Sequence, residues 1–428
     1  MSLISLFCFI VFGIVVVASF RRGNDLFSPT RVFVAVWATA IGFADLKLSK
    51  LQHDWQPYAW ITIVIALSSF LLGIYSVRII HQGRAMLSIK EIRERMGKLE
   101  IREHRLRGII FFLSISYFLV YIIEWWYRGG LPLFAAYPDM ARTLFPIFGI
   151  HLFVGAMPII LFLISEYLLF AQITLARKLL LWLIFFSIVL SYFFLLNRLY
   201  IVYYLILLLG FFYYSTNYVK LRYVVVVMVF GIGFLALLQY YREVRYAENF
   251  LYVVSGMRYA PQFAVLTGPY MYIVMNLENF AHAVVRLEHH TFGYFTFDFL
   301  MAISGLKHWL ASYFNLNERA FLISGFNTFP FFWDYYYDYG IAGMAILSGL
   351  LGFIIELIHQ MVRRRPTLIN LSLYSVAIFV IVISFFTTPL TSLNFDFNIM
   401  LLLLTQIAIT PKGNLDNETR PSIAMLNG

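Results

Sequence analysis

Phosphate chemistry needs fixed positive charge, and this chain concentrates arginine in one long stretch. Between residues 242 and 337 lie Arg242, Arg245, Arg258, Arg286 and Arg319, with His282, His289, His290 and His308 among them. A guanidinium is always charged and grips phosphate oxygens through two parallel N–H bonds. Such a set fits a phosphate or pyrophosphate ligand. Arg198 stands apart, in the turn between the apolar runs 179–196 and 200–214. It reads either as a fixed cation at the mouth of a cleft or as an anchor whose long stem reaches the headgroups. Glu288 and His289 are adjacent and each can accept a proton. Adjacent positions on a helix do not share a face, and no third ligand accompanies His289 and His290. No metal and no other cofactor is expected.

The same stretch closes on an aromatic run from Phe326 to Tyr339, with Asn327, Trp333, Asp334 and Asp338 inside it. One reading is an interfacial aromatic belt. The other is a sugar site. Rings with apolar faces and polar tips suit the CH faces of sugars, while Asn327, Asp334 and Asp338 hydrogen-bond hydroxyls. Asp338 is then the first choice for a general base, with Glu288 and His289 in reserve.

What must position these residues is a membrane protein. Apolar residues make up 61% of the chain and charged residues 13%, against about 45–50% and 25% in soluble domains. Runs able to cross a hydrocarbon core of about 30 Å occur at 2–19, 30–46, 58–79, 108–126, 147–170, 179–196, 200–216, 223–241, 338–361, 368–387 and 394–410. Eleven spans make an all-α polytopic fold. Its parts are 1–241 (eight spans, with a basic loop at 80–107), the loop 242–337, 338–410 (three spans) and a tail, 411–428. With the N-terminus outside, 21 of the 32 Lys and Arg residues fall inside. Every short inner turn is then basic, as the positive-inside rule requires. Ten spans would break that alternation, so a tight connection at Asn197–Arg198 is required. The first apolar run has no basic residue ahead of it and is kept as a span rather than a signal peptide.

The net charge of +10 points to loop orientation and anionic lipid, not to nucleic acid. The single cysteine, Cys8, excludes an internal disulfide. No phosphate-binding loop, HExxH or dinucleotide fingerprint occurs. In the basic loop, Ile89, Ile92, Met96 and Leu99 recur at helical spacing, with Glu91/Arg95 and Glu94/Lys98 four apart. This predicts an amphipathic helix on the membrane surface, as an anchor or as a partner site. The pieces 263–277 and 295–314 are too short or broken to span, and predict interfacial helices capping a polar cleft. Gly340, Gly343, Gly349 and Gly352 in the ninth span predict close helix packing.

Several short motifs coincide: Phe27, Ser28 and Pro29 before the second span; Asn197 and Arg198 entering the seventh; Leu266, Thr267, Gly268 and Pro269 in the loop; and Asn327 and Thr328 followed by Asp338, Tyr339, Gly340 and Gly343. In these and in its layout the chain resembles the O-antigen polymerase (Wzy-type), or oligosaccharide repeat-unit polymerase, family. Arg245 and Gly256 also fit the Arg-x10-Gly spacing described for some members. The related ligases carry a His near the Asn327 region, and this chain has none there. The resemblance implies a GT-C-like, metal-independent glycosyltransferase of the bacterial inner membrane. Its N-terminus is periplasmic and its C-terminus cytoplasmic. It would polymerise undecaprenyl-pyrophosphate-linked repeat units and could partner a chain-length regulator. Arg198, Arg242 and Arg245 are placed on pyrophosphate. Arg258, Arg286, Arg319, Asn327, Asp334 and Trp333 are placed on substrate. A lipid-linked oligosaccharide flippase is the rival reading, and a ligase a second one.

Overall fold

Long apolar runs have no way to satisfy their backbone in lipid except as helices, and helices are what they form. The structure, a computed structural model, describes residues 2–19, 24–217, 233, 250–313, 322–323 and 326–411, except the side chains of residues 308, 311 and 312. Among the described residues no strand occurs; a single bridge pairs Ser49 with Met257. Four helices are long and apolar enough to cross a membrane: Pro57–Ile80, the helix beginning at Glu103, Leu175–Phe193 and Trp333–Arg364. Shorter apolar helices are Leu3–Ser19, Met157–Phe170, Leu199–Ser215, Leu368–Ile383 and Leu393–Ile409. Leu72, Ile115, Leu183 and Ile346 stand well exposed on the long ones. Outward apolar side chains of that number belong to a membrane-embedded protein. The expected span at 223–241, apart from Gly233, and the tail at 412–428 lie outside the described residues.

One expected span is broken. Residues 147–170 divide into a turn, the short piece Leu152–Gly155 and the helix Met157–Phe170. Gly149 adopts a positive φ of 85°, and Pro158 has no N–H for a continuing ladder. Buried Glu124 stabilises the break. It accepts Ile147 N–H at 2.9 Å and holds the His151 ring Nδ1 at 2.9 Å. Further on, only residues 194–198 separate Leu175–Phe193 from Leu199–Ser215, a connection as short as the charge alternation requires.

Packing groups the chain into two units. One holds Met1–Ala85, Glu243–Gln360 and Ala377–Asp396; the other holds Met86–Arg242, Met361–Val376 and Phe397–Gly428. The sequence-based division cuts the chain consecutively, whereas packing gathers segments far apart in it.

In the first unit the helix Thr267–Ala283 is a core element. The loop pieces were expected to be interfacial helices; this one is largely enclosed by protein. Its first turn tolerates Pro269, because the lost N–H has no intrahelical partner there. Thirteen of its residues are buried, Asn276, Glu278 and Asn279 included. Those polar groups are matched. Glu278 accepts Trp55 Nε1–H at 2.8 Å, Lys47 Nζ at 3.1 Å and His53 N–H at 3.3 Å. Asn279 accepts Ile323 N–H at 2.9 Å and donates to the Thr328 carbonyl at 2.9 Å. Thr328 in turn donates to Asn276. Also in this unit, the glycines of Trp333–Arg364 meet a neighbour closely. A Cβ on Gly352 would stand 2.1 Å from Phe70 O, and one on Gly73 1.9 Å from Gly349 O. Small residues permit that approach of two backbones.

In the second unit the amphipathic helix is Ile89–Met96. Its apolar face is covered by protein rather than left for a membrane surface. Ile92 and Met96 are buried, the helix packs on Leu199–Ser215, and Arg93 Nε donates to Tyr213 O at 2.9 Å. Glu91 closes a capping box with Ser88, and Lys90 pairs with Glu94 at 3.8 Å. The backbone and side chain of Ser88 hold the Glu91 carboxyl below its ordinary value of 4.5. A depressed carboxyl stabilises the fold above its unfolded pKa and stops doing so as pH falls through the folded one. The Ser88 and Glu91 amides are therefore expected to lose hydrogen-exchange protection as pH falls below the ordinary glutamate value of 4.5, and in Glu91→Gln that pH step should vanish.

Candidate functional site

The second half of the aromatic run, from Trp333 on, is the start of a helix, while residues 326–332 lead into it without helical structure. The helix Trp333–Arg364 contains one non-helical residue, Gly340, at φ 65° and ψ −160°. That combination is open only to glycine. It interrupts the regular ladder, in which each carbonyl accepts from the fourth residue on. The carbonyls before the kink are taken up by another segment. Tyr337 O accepts Thr291 N–H at 3.3 Å, and Asp338 O accepts Phe292 N–H at 3.1 Å. His290 Nδ1 stands 3.1 Å from Tyr337 O. His290 also fills the space beside the kink, since a Cβ on Gly340 would meet its Nε2 at 3.1 Å.

Asp338 fastens the same segment with its side chain. It is 0% exposed. Its Oδ1 accepts Thr291 Oγ1–H at 2.5 Å and Phe295 N–H at 3.2 Å; its Oδ2 accepts Thr296 N–H at 2.6 Å. A carboxylate gripped by three donors holds its surroundings in place. Trp333 is buried too. Its ring stacks on Phe329 with centroids 4.4 Å apart and on Tyr336 at 6.2 Å. Phe332 stacks on Trp37, whose Nε1–H donates to Ser384 Oγ at 2.9 Å. Half-buried Asp334 accepts Thr391 Oγ1–H at 2.8 Å. Asn327 is exposed.

The pinned segment carries charge. Arg286, Glu288 and His289 follow the helix Thr267–Ala283, precede His290 directly and are all exposed. They form a short ledge between a buried helix and the Asp338 anchor. A second exposed pair lies in the same unit. Lys50 N–H donates to Gly256 O at 3.2 Å, and Arg258 N–H to Leu48 O at 2.8 Å. This short antiparallel pairing fixes the backbone under Lys50 and Arg258. Lys50 was legible only as an isolated cation, because its partner is some two hundred residues away in sequence.

The sequence-predicted residues therefore divide. Asp338, Trp333, Asp334, Asn327, Arg258, Arg286, Glu288 and His289 belong to the first unit. Arg198 belongs to the second, where it is half-buried and precedes the helix Leu199–Ser215. Arg242, Arg245 and Arg319 lie outside the described residues. Among the described residues no three His, Cys, Asp or Glu side chains gather as a metal site.

Sequence reading passed over a buried ionic cluster in the first unit. Arg78 donates twice to Glu356, at 3.0 and 3.1 Å. His359 Nε2 stands 3.0 Å from Asp25 Oδ2, and Arg31 donates to Asp25 O at 2.7 Å. The available signal was an acid and a histidine, three apart, inside an apolar helix.

These features define an all-helical, membrane-embedded protein with an anchored, charged and aromatic segment at the start of one long helix. Comparison with family models, curated proteins and solved structures finds no match.

Proposed function

We propose that the chain polymerises undecaprenyl-pyrophosphate-linked oligosaccharide repeat units into O-antigen or a related surface polysaccharide. The reaction is placed at the periplasmic face of a bacterial inner membrane. The eleven-span, GT-C-like architecture with a periplasmic N-terminus and a cytoplasmic C-terminus belongs to the same proposal. The observation that carries it is the ledge. Arg286, Glu288 and His289 are exposed, and the next residues are hydrogen-bonded to Tyr337 and Asp338. A cation, a carboxylate and an imidazole on fixed backbone are what a hydroxyl displacing a pyrophosphate requires.

In this reading the acceptor hydroxyl oxygen bonds to the anomeric carbon of the donor glycan. The bond from that carbon to the lipid pyrophosphate breaks, and the pyrophosphate leaves with the electron pair. The hydroxyl proton passes to Glu288 or His289 as general base. Negative charge grows on the leaving group, where Arg286 and Arg258 stabilise it. Arg198, Arg242, Arg245 and Arg319 are further cations of the same proposal, and Asn327 and Asp334 bind sugar hydroxyls. Asp338 and Trp333 position the segment, since both are buried. No metal takes part, and a chain-length regulator is a partner on this reading.

The test is the surface glycan of cells lacking the gene, complemented with wild type, Arg286→Ala, His289→Ala or Arg198→Ala. Wild type should restore a ladder of lengths. Arg286→Ala should leave mainly single repeat units at the surface, with a rate loss of about 100-fold or more. Lipid-linked units held on the cytoplasmic side in the uncomplemented cells would overturn the reading in favour of a flippase.

A further inference from the structure

The second unit buries a carboxyl group that glycosyl transfer does not use. Glu166 lies on the helix Met157–Phe170 and is 0% exposed. The residues around it on that helix, Ile160, Phe162, Leu163, Ile164 and Tyr167, are buried as well. Glu166 Oε2 accepts Gln406 Nε2–H at 2.7 Å. Glu166 Oε1 is buried and, among the described residues, has no hydrogen-bond partner. Gln406 Oε1 is in the same condition. Among the described residues, no Lys, Arg or His pairs with Glu166.

An unpaired carboxylate in such surroundings is strongly disfavoured, and unsatisfied buried acceptors are rare in native proteins. Both orphans belong to one carboxyl–amide pair. A single proton resolves them together. Placed on Glu166 Oε1, it makes an O–H that can donate to Gln406 Oε1, while Gln406 Nε2–H continues to donate to Glu166 Oε2. The result is a neutral pair with every acceptor matched.

We propose that Glu166 and Gln406 form a proton-binding site, a carboxylic acid–amide pair whose exchangeable proton sits between the two Oε1 atoms. Losing that proton would leave a buried negative charge. The site therefore stays neutral unless a cation replaces the proton or the helix carrying Gln406 moves. Ionisable groups inside membrane bundles that pair in this way mark proton or ion sites. The inference does not depend on the glycosyl-transfer reading, which uses neither residue.

Infrared spectroscopy of the purified full-length protein in detergent at neutral pH tests it. Wild type should show the C=O stretch of a protonated buried carboxyl, shifting down in deuterium oxide. The band should be absent from Glu166→Gln. In Gln406→Met it should persist but move to higher frequency, because the carbonyl loses its amide donor. This second variant decides the matter if the first does not fold. A carboxyl band that neither substitution alters would overturn the proposal, as would its absence from wild type. Sodium-dependent thermal stabilisation of wild type, lost in Glu166→Gln and without a carboxyl band, would also overturn it and assign the site to a monovalent cation.

Discussion

Gly340→Ala should cost this protein the anchored segment that pairs with Tyr337 and Asp338. Alanine has no comfortable conformation at φ 65° and ψ −160°, and holding it there costs about 1–3 kcal/mol. The new methyl would also stand 3.1 Å from His290 Nε2, so that ring must yield. His290 Nδ1 then loses its place 3.1 Å from Tyr337 O. Replacing glycine usually gains about 0.4–1 kcal/mol through the unfolded chain when the site is compatible. Here strain exceeds that gain, and the net sign is destabilising. Gly108→Ala is the control, because Gly108 lies in the helix Glu103–Arg128 with nothing within 4 Å of an added Cβ. Thermal unfolding of the purified protein in detergent should show a lower midpoint for Gly340→Ala and an unchanged or higher one for Gly108→Ala. Equal midpoints would mean that the kink does not constrain the fold.

Asp338→Ala should be at least as damaging, for a different reason. It removes the acceptor of Thr291 Oγ1–H, Phe295 N–H and Thr296 N–H. A buried donor without a partner costs about 1–3 kcal/mol. Phe295 and Thr296 are only half-buried, so water recovers part of the loss, and about 3 kcal/mol is expected in total. That is a large share of the roughly 5–15 kcal/mol that holds a typical protein folded. Asp338→Asn separates anchoring from proton transfer. Its amide oxygen still accepts, so the segment should be partly retained, with the midpoint between those of wild type and Asp338→Ala. Under the positioning role, glycan ladders from cells carrying Asp338→Asn should shorten in proportion to the lost stability. Complete loss of ladders with an unchanged midpoint would instead make Asp338 the base.

The backbone anchors explain why this segment was only half legible. Periodicity marks Phe326–Tyr339 as aromatic and Gly340 as a glycine in a span. It does not reveal that Gly340 breaks the ladder, or that Thr291 and Phe292 take up the carbonyls at the break. Those partners are nearly fifty residues away in sequence. Asp338 and Trp333 have the residue types of a sugar site, yet burial decides what such groups can reach. Conversely, Arg286, Glu288 and His289 stand out in sequence only as candidates among several cations and bases. They gain interest because the residues beside them are fixed.

What the sequence determined alone is the helical, membrane-embedded character of the protein. In a chain 61% apolar, unbroken apolar runs of span length satisfy their backbone in lipid within a helix, whereas barrel strands are short and alternate. The short connection at residues 194–198 and the close helix approach at Gly349 and Gly352 follow from residue type as well. Tertiary structure decided three things that local pattern does not encode. Thr267–Ala283 became a core helix, because Glu278 and Asn279 find partners at Trp55, Lys47 and Thr328. The face of Ile89–Met96 was covered by Leu199–Ser215. Glu166, Glu356 and His359 were placed among buried partners. In each case the free energy of a polar or apolar group depends on what lies across from it in space, and separation along the chain does not record that.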